Sequence, residues 1–184
     1  IKKRRDKIEQ LKSSQRGIGI LNLLEIDILT NGQLSVPEEG LKLLDGAIAG
    51  IHSSHRHDKK MITKRLLIAC NSPYVQVISH PTGRLLNQRE SYEADWPEIF
   101  DACKKTGTIL EINAWPSRLD LPDVLVKEAI KKGIKLIVNS DAHAINQMDN
   151  MKFGVAVARR GWATKEDIIN TLPWVEFKKY FNVR

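Results

Sequence analysis

The stretch "LIVNSDAHAIN", Leu136 to Asn146, is an apolar run of strand character that ends in Asp141 and His143, two metal-capable side chains two residues apart. In an extended segment residues i and i+2 project to the same side, so the carboxylate and the imidazole would converge on one point. A strand followed by an ordinary polar turn, with Asp141 as a helix cap, has the same pattern. Partners elsewhere decide between the two. His52 in "GIHSS" and His80 in "ISHP" end apolar runs in the same way, and Glu25 lies within "LLEIDIL". One carboxylate with two imidazoles is a common ligand set for zinc, manganese or iron, and Asp141 with His143 can supply a second cation about 3.5 to 4 Å away. Cations so spaced suit phosphoester hydrolysis, because they acidify a bridging water and neutralise charge on the attacking and leaving oxygens. Arg84 in "HPTGR" and Arg118 in "NAWPSRLD" follow strand ends of the same kind and have the forked geometry that grips a phosphate, the alternative being surface salt bridges. His55 and His57, the "HRH" after His52, lie in a loop entering a helix, where a flexible surface pair is the simpler reading.

The elements that must position these residues follow from periodicity and turn signals. "IKKRRDKIEQLK" reads as a basic helix, with Ile1, Ile8 and Leu11 at near-helical spacing. "GIGILNLLEIDIL", bounded by Gly17 and the turn "TNGQ", reads as a buried strand. Then helices and strands alternate: "GLKLLD" a short helix, "GAIAGIHSS" a strand, "DKKMITKRLLIAC" a helix that Asp58 caps, "YVQVISHP" a strand. "YEADWPEIFDACKKTG" is a helix closed by Gly107, "TILEINA" a strand, "PDVLVKEAIKKG" a helix closed by Gly133, and "KLIVNSDAH" a strand. The segment "NMKFGVAVARRGW" and a helix "TKEDIINTL", capped by Thr164, close the fold. Strands apolar on both faces, each followed by a helix, indicate a parallel sheet, either open and doubly wound or closed into a barrel. Glu25, His52, His80, Asn113, Asp141 and His143 all fall toward the C-terminal ends of those strands, where barrel enzymes place their chemistry.

The 184 residues suffice for one domain with a substantial core, so a single domain, 1–184, is expected. No window approaches the ~18 to 20 apolar residues of a membrane span, and the N-terminus lacks the apolar stretch of a signal peptide, so a cytoplasmic location without membrane contact is expected. Cys70 and Cys103 have no C-x-x-C spacing, so neither a zinc ribbon nor a disulfide framework is suggested and two small buried hydrophobes are expected. No G-x-G-x-x-G or G-K-[ST] loop occurs, which weakens a nucleotide-binding fold. Trp96, Trp115, Trp162 and Trp174 do not form a regular stacking platform. The net charge of +7, from 29 Lys and Arg against 22 Asp and Glu, is compatible with a polyanionic partner. The run Lys2–Arg5 reads as a solvated helix face, with nucleic-acid contact as the alternative. The chain begins with Ile1 and not Met, consistent with a fragment of a longer protein.

Taken together, "LLEIDIL", "GIHSS", "ISHPTGRLL", "LEINAWPSRLDL", "VNSDAH" and "GVAVARRGW" resemble the polymerase and histidinol phosphatase (PHP) domain. The form they resemble most is the one at the C-terminus of bacterial and archaeal family X DNA polymerases, with "HPTGRLL", "NAWPSRLDL" and "ARRGW" the pieces specific to that branch. The resemblance implies a distorted (β/α)7 barrel, here truncated at its N-terminus to about five β/α units, and up to three manganese or zinc ions on nine ligands. By that resemblance Glu25 bridges two metals at an activated water, His52 and His80 complete one site with it, Asp141 joins Glu25 at a second, and His143 serves a third. The family's first four ligands have no counterpart, and "HRH" does not replace them, so five of nine ligands remain and one complete site is expected. Leu24 stands where the family usually has Gly.

The leading expectation is therefore a metal-dependent phosphoesterase module of a family X DNA polymerase, a 3′ to 5′ exonuclease or 3′-end cleaner in DNA repair. DNA with a 3′ end is its implied partner, with an upstream polymerase domain if the chain is a fragment. A small-molecule phosphatase is the second reading. A non-catalytic structural or DNA-holding module is the third, because of the missing ligands. A sheet edge left by absent strands predicts a homodimer.

Overall fold

The computed structural model describes residues 1–183. Five parallel strands, β1 (Leu23–Asp27), β2 (Gly46–Gly50), β3 (Val75–Ile78), β4 (Ile109–Asn113) and β5 (Leu136–Asn139), pair in the order of the chain. The order never reverses, so there is no switch point of the doubly wound kind and successive right-handed crossovers lie on one face. The order is that of consecutive strands in a barrel-like fold, and β1 and β5 do not pair with each other among the described residues.

Seven helices accompany it among the described residues: α1 (Lys2–Ser14), α2 (Glu38–Leu41), α3 (Lys59–Cys70), α4 (Trp96–Thr106), α5 (Asp123–Lys131), α6 (Met151–Arg160) and α7 (Trp174–Phe177). Local chemistry sets their ends. Asp58 accepts a hydrogen bond from the Met61 N–H at 2.7 Å to start α3, and Asp95 does the same from Glu98 to start α4. Gly107 and Gly133 take left-handed φ of 77° and end the helices before β4 and β5. The Sγ atoms of Cys70 and Cys103 lie 3.8 Å apart, buried between α3 and α4 as two small apolar side chains.

Several elements differ from the sequence expectation. Residues 17–22 stay outside β1, and the helix expected at "GLKLLD" starts earlier, at Glu38 after Pro37, and ends at Leu41. Thr164–Leu172 is not an α-helix: the Thr164 hydroxyl and N–H both donate to Asp167, and Ile168 bridges β5 at Leu136, which draws the segment along the sheet edge. The run expected to extend to His143 stops at Asn139.

The two faces of the sheet carry different chemistry. One face, with Ile26, Ala49, Ile112 and Val138, packs against Leu66 of α3, Phe100 of α4, Val126 of α5 and Val157 of α6. On the other face, Leu23, Ile48, Val77, Ile109 and Ile137 meet Ile169 and Phe181 of the C-terminal segment. Alternation continues along the same strands past that apolar floor, so Leu23 leads to Glu25 and Asp27, Ile109 to Glu111 and Asn113, and Ile137 to Asn139. The second face is therefore apolar at the N-terminal ends of the strands and polar at their C-terminal ends.

The free edge of β1 is partly covered. Arg4 of α1 donates to the Leu23 carbonyl at 2.9 Å, and the Asp27 N–H and carbonyl are both taken by Ser35 at 2.9 Å. That blunts the edge on which the expected dimer would form.

Candidate metal centre

Glu25 ends its side chain among two imidazoles. The Nε2 atoms of His52 and His80 stand 3.2 and 3.0 Å from Glu25 Oε1 and 3.1 Å from each other. For cation–ligand bonds of ~2.1 Å, ligand atoms at right angles are ~3.0 Å apart and tetrahedral ones ~3.4 Å. The spacing of the three atoms fits one divalent cation, and they form the group of metal-capable side chains found among the described residues. Zinc and manganese are both compatible with one carboxylate and two imidazoles.

The strands explain the convergence. Glu25 and Asp27 share a face of β1, His52 lies two residues past the end of β2, and His80 two past the end of β3. His80 has φ of 29°, a left-handed backbone held by its own N–H donating to the buried Glu111 carboxylate at 2.6 Å. Its side chain is only 3% exposed, against 42% for Glu25, so the centre is open on the carboxylate side and closed behind His80. Gly50 makes the approach possible. A Cβ there would stand 2.8 Å from His80 Cε1 and 3.2 Å from His52 Cε1, and closer still to the Ser79 hydroxyl.

Asp27 orients the second ring: the His52 Nδ1–H donates to Asp27 Oδ1 at 2.6 Å, which turns Nε2 toward Glu25. This carboxylate was missed by sequence reasoning, although its position two residues beyond Glu25 on one strand was the signal that could have found it. Hydrogen bonds from His52 and then His80 hold the Glu25 carboxyl far below the usual carboxylate range. The reciprocal bond to Glu25 raises the His52 imidazole against its burial. Glu25 is therefore a carboxylate ready to act as a ligand, and a cation on this group displaces the proton that Glu25 favours on His52.

A second polar group, also unremarked in the sequence, braces the first. Glu111 accepts from His80 N–H, from Asn113 Nδ2 at 3.2 Å and from Asn139 Nδ2 at 2.7 Å, while burial pushes its carboxyl upward. Asn113 Nδ2 also reaches Asp141 Oδ2 at 3.1 Å. Asp141 and His143 do not belong to the triad with Glu25. The chain leaves the extended conformation after Asn139 and Asp141 has φ of 53°, so the two side chains do not project side by side as an extended segment would place them. Asp141 Oδ2 lies 3.8 Å from Arg118 Nε, and the exposed His143 packs edge-on to Trp115 and donates from Nδ1 to the Asp141 carbonyl at 2.9 Å. Arg84 donates to the carbonyls of Arg118 and Leu119, which ties the loop after β3 to the loop after β4. His55 donates to the Ile51 carbonyl at 3.1 Å, and neither it nor His57 joins the triad.

No family model matches the chain. It is 39% identical over 170 residues to the DNA polymerase/3′-5′ exonuclease PolX of Bacillus subtilis (strain 168), across 92% of this chain and 30% of that protein. It is 29% identical over 174 residues to a probable phosphatase of Thermoanaerobacter sp. (strain X514), across 89% of this chain and 69% of the relative. A probable phosphatase of Caldanaerobacter subterraneus subsp. tengcongensis is 30% identical over 137 residues, which cover 69% of this chain and 52% of the relative. The chain is thus a homologue of the PolX protein and of these phosphatases. It spans less than a third of the PolX protein's length. Among the described residues no helix is long and apolar enough to cross a membrane.

Proposed function

We infer that this chain is a PHP-type metal-dependent phosphoesterase module related to family X DNA polymerases, acting on 3′ ends of DNA in repair. The observation that carries the reading is the Glu25, His52 and His80 triad, with ligand atoms 3.0 to 3.2 Å apart at the C-terminal ends of parallel strands. Similarity to a named 3′-5′ exonuclease across 92% of the chain supports the phosphodiester substrate.

Glu25, held ionised by its two histidines, and the Nε2 atoms of His52 and His80 would hold a manganese or zinc ion. Such an ion, when bound, supplies Lewis acidity toward a phosphate oxygen and lowers the pKa of water. Asp27 keeps the His52 ring in orientation, and Glu111 fixes the His80 backbone that aims its ring. Arg118, only loosely paired with Asp141 at 3.8 Å, would grip the scissile phosphate, and Arg84, bonded to the Arg118 carbonyl, would hold that loop in position. Asp141 and His143 would serve further ions, as the PHP resemblance implies. Hydrolysis of small phosphomonoesters is the second reading, favoured by the relatives named as probable phosphatases.

The test is hydrolysis of a 3′-labelled single-stranded oligonucleotide and of a chromogenic phosphomonoester, with manganese or zinc, by the wild type and His80→Ala. The proposal expects cation-dependent release from the 3′ end, reduced at least a hundredfold by the substitution. Turnover of the monoester alone moves the assignment to a small-molecule phosphatase. Turnover of neither, with retained oligonucleotide binding, marks a holding module.

A further inference from the structure

A cleft of about 710 Å³ opens between the loop after β2, which follows His52, and the loop after β3, which follows His80, and no step above uses it. Its walls include His55, Arg56, Gln88, Arg89 and Tyr92. Both loops begin at a histidine of the triad: His55 follows His52 by three residues, and the buried Tyr92 donates its hydroxyl to the Pro81 carbonyl at 2.5 Å, next to His80. The His55 ring lies over Tyr92 at 29° with centroids 6.4 Å apart. Gly83, at φ of 64°, lets the two come together, since a Cβ there would meet Tyr92 and stand 3.3 Å from His55 Cδ2.

The cleft carries net positive charge, two guanidiniums against one carboxylate. Arg89 donates Nε to the Gly83 carbonyl at 2.8 Å, and among the described residues neither Arg89 nor Arg56 pairs with a carboxylate. Among its lining residues Glu90 is the lone carboxylate. A guanidinium anchored by a neutral carbonyl is held in place without a compensating negative charge, unlike one in a salt bridge. The Leu86 N–H donates to the Ser117 carbonyl at 2.6 Å, which holds the Arg118 loop against the loop after β3, and burial and then repulsion from Arg118 depress Arg89. An anion bridging the two loops would relieve that repulsion.

We propose that this cleft is a second phosphate subsite, which takes a neighbouring phosphodiester of a nucleic-acid strand whose scissile phosphate lies at the Glu25, His52 and His80 centre. The proposal rests on the phosphoesterase reading for the second phosphate's position, and it names the substrate class as an oligonucleotide over a monoester. A monoester carries one phosphate and has nothing to place in the cleft.

The experiment uses the full chain with manganese, the variants Arg56→Gln and Arg56→Gln/Arg89→Gln, a fluorescent single-stranded oligonucleotide and a chromogenic phosphomonoester. Arg56 is exposed and makes no hydrogen bond among the described residues, so its replacement spares the fold. For Arg56→Gln, oligonucleotide affinity should fall about tenfold and the slope of log affinity against log salt should lessen by about 0.7, with roughly twice that change in slope for the double variant. The KM for the monoester should not change. Unaltered affinity and slope overturn the proposal, as does an equal loss for the monoester, which would put the arginines at the single scissile phosphate. If the wild type hydrolyses neither substrate yet the variants weaken oligonucleotide binding as stated, the subsite stands and the phosphoesterase reading falls. If both substrates are hydrolysed and the variants change neither, the reverse holds.

Discussion

Replacing Gly50 with alanine tests whether the triad is built to the dimensions of a cation. The new Cβ would stand 2.8 Å from His80 Cε1 and 3.2 Å from His52 Cε1, and ordinary contact at 3.4 Å requires the His80 ring to move by roughly 0.6 Å. Metal sites tolerate deviations of about 0.2 Å in their bonds, so a displacement of that size cannot be absorbed by a ring that is 3% exposed. Cation affinity should fall by about 10- to 100-fold, or about 1.4 to 2.8 kcal/mol, alongside an overpacking cost of about 1 to 3 kcal/mol in fold stability. Gly46→Ala is the control. It lies on the same face at the other end of β2, and its Cβ meets the far end of the flexible Gln76 side chain. Isothermal titration with manganese and thermal denaturation with and without the ion report both quantities. Equal affinities for Gly50→Ala and Gly46→Ala would refute the packing argument.

Other consequences follow from the same contacts. Asp27→Ala removes the acceptor that fixes the His52 ring, so cation affinity measured by titration should drop about tenfold or more while the fold survives. Glu111→Ala strips the His80 N–H, Asn113 and Asn139 of a shared acceptor, and urea unfolding should show a loss of about 3 kcal/mol or more. Asp120 is fully buried with both oxygens accepting from the Thr82 N–H, and burial raises its carboxyl. A raised folded value gives a contribution fully present below the unfolded value of ~3.9 and lost as pH rises through the folded one. Asp120→Asn should therefore gain stability relative to wild type as pH rises, read from melting temperatures between pH 5 and pH 8. Because Glu25 raises His52, the cation-free centre retains a proton that the cation must displace. Cation affinity should climb with pH until it passes the His52 value, and calorimetry in buffers of different ionisation enthalpy should detect proton release.

Much of the sheet was legible in the sequence because its signals are local. Short apolar runs such as "TILEINA", bounded by turn residues and too short for a buried helix, read as strands, and Asp58, Gly107 and Gly133 act within one turn of the helix ends they set. Glu25, His52 and His80 were visible as polar residues at the ends of apolar runs. What the sequence hid depends on contacts between distant segments. Thr164–Leu172 has the pattern of a helix but is drawn along β5 by the Ile168 bridge, a tertiary choice that overrides local propensity. The backbone of Asp141 turns left-handed, which no spacing rule announces, so the expected side-by-side pair with His143 does not form. Nothing local singles out Glu111 within the strand "TILEINA", yet its place opposite the His80 N–H makes it the brace of the centre.

The central claim, that Glu25, His52 and His80 hold a divalent cation, is tested most directly by elemental analysis of bound metal per chain. The protein is loaded with manganese or zinc and desalted, and His80→Ala is treated identically. About one ion per wild-type chain, lost in the variant, is the predicted result. Retention of no ion by the wild type, or of the same amount by both proteins, would contradict it.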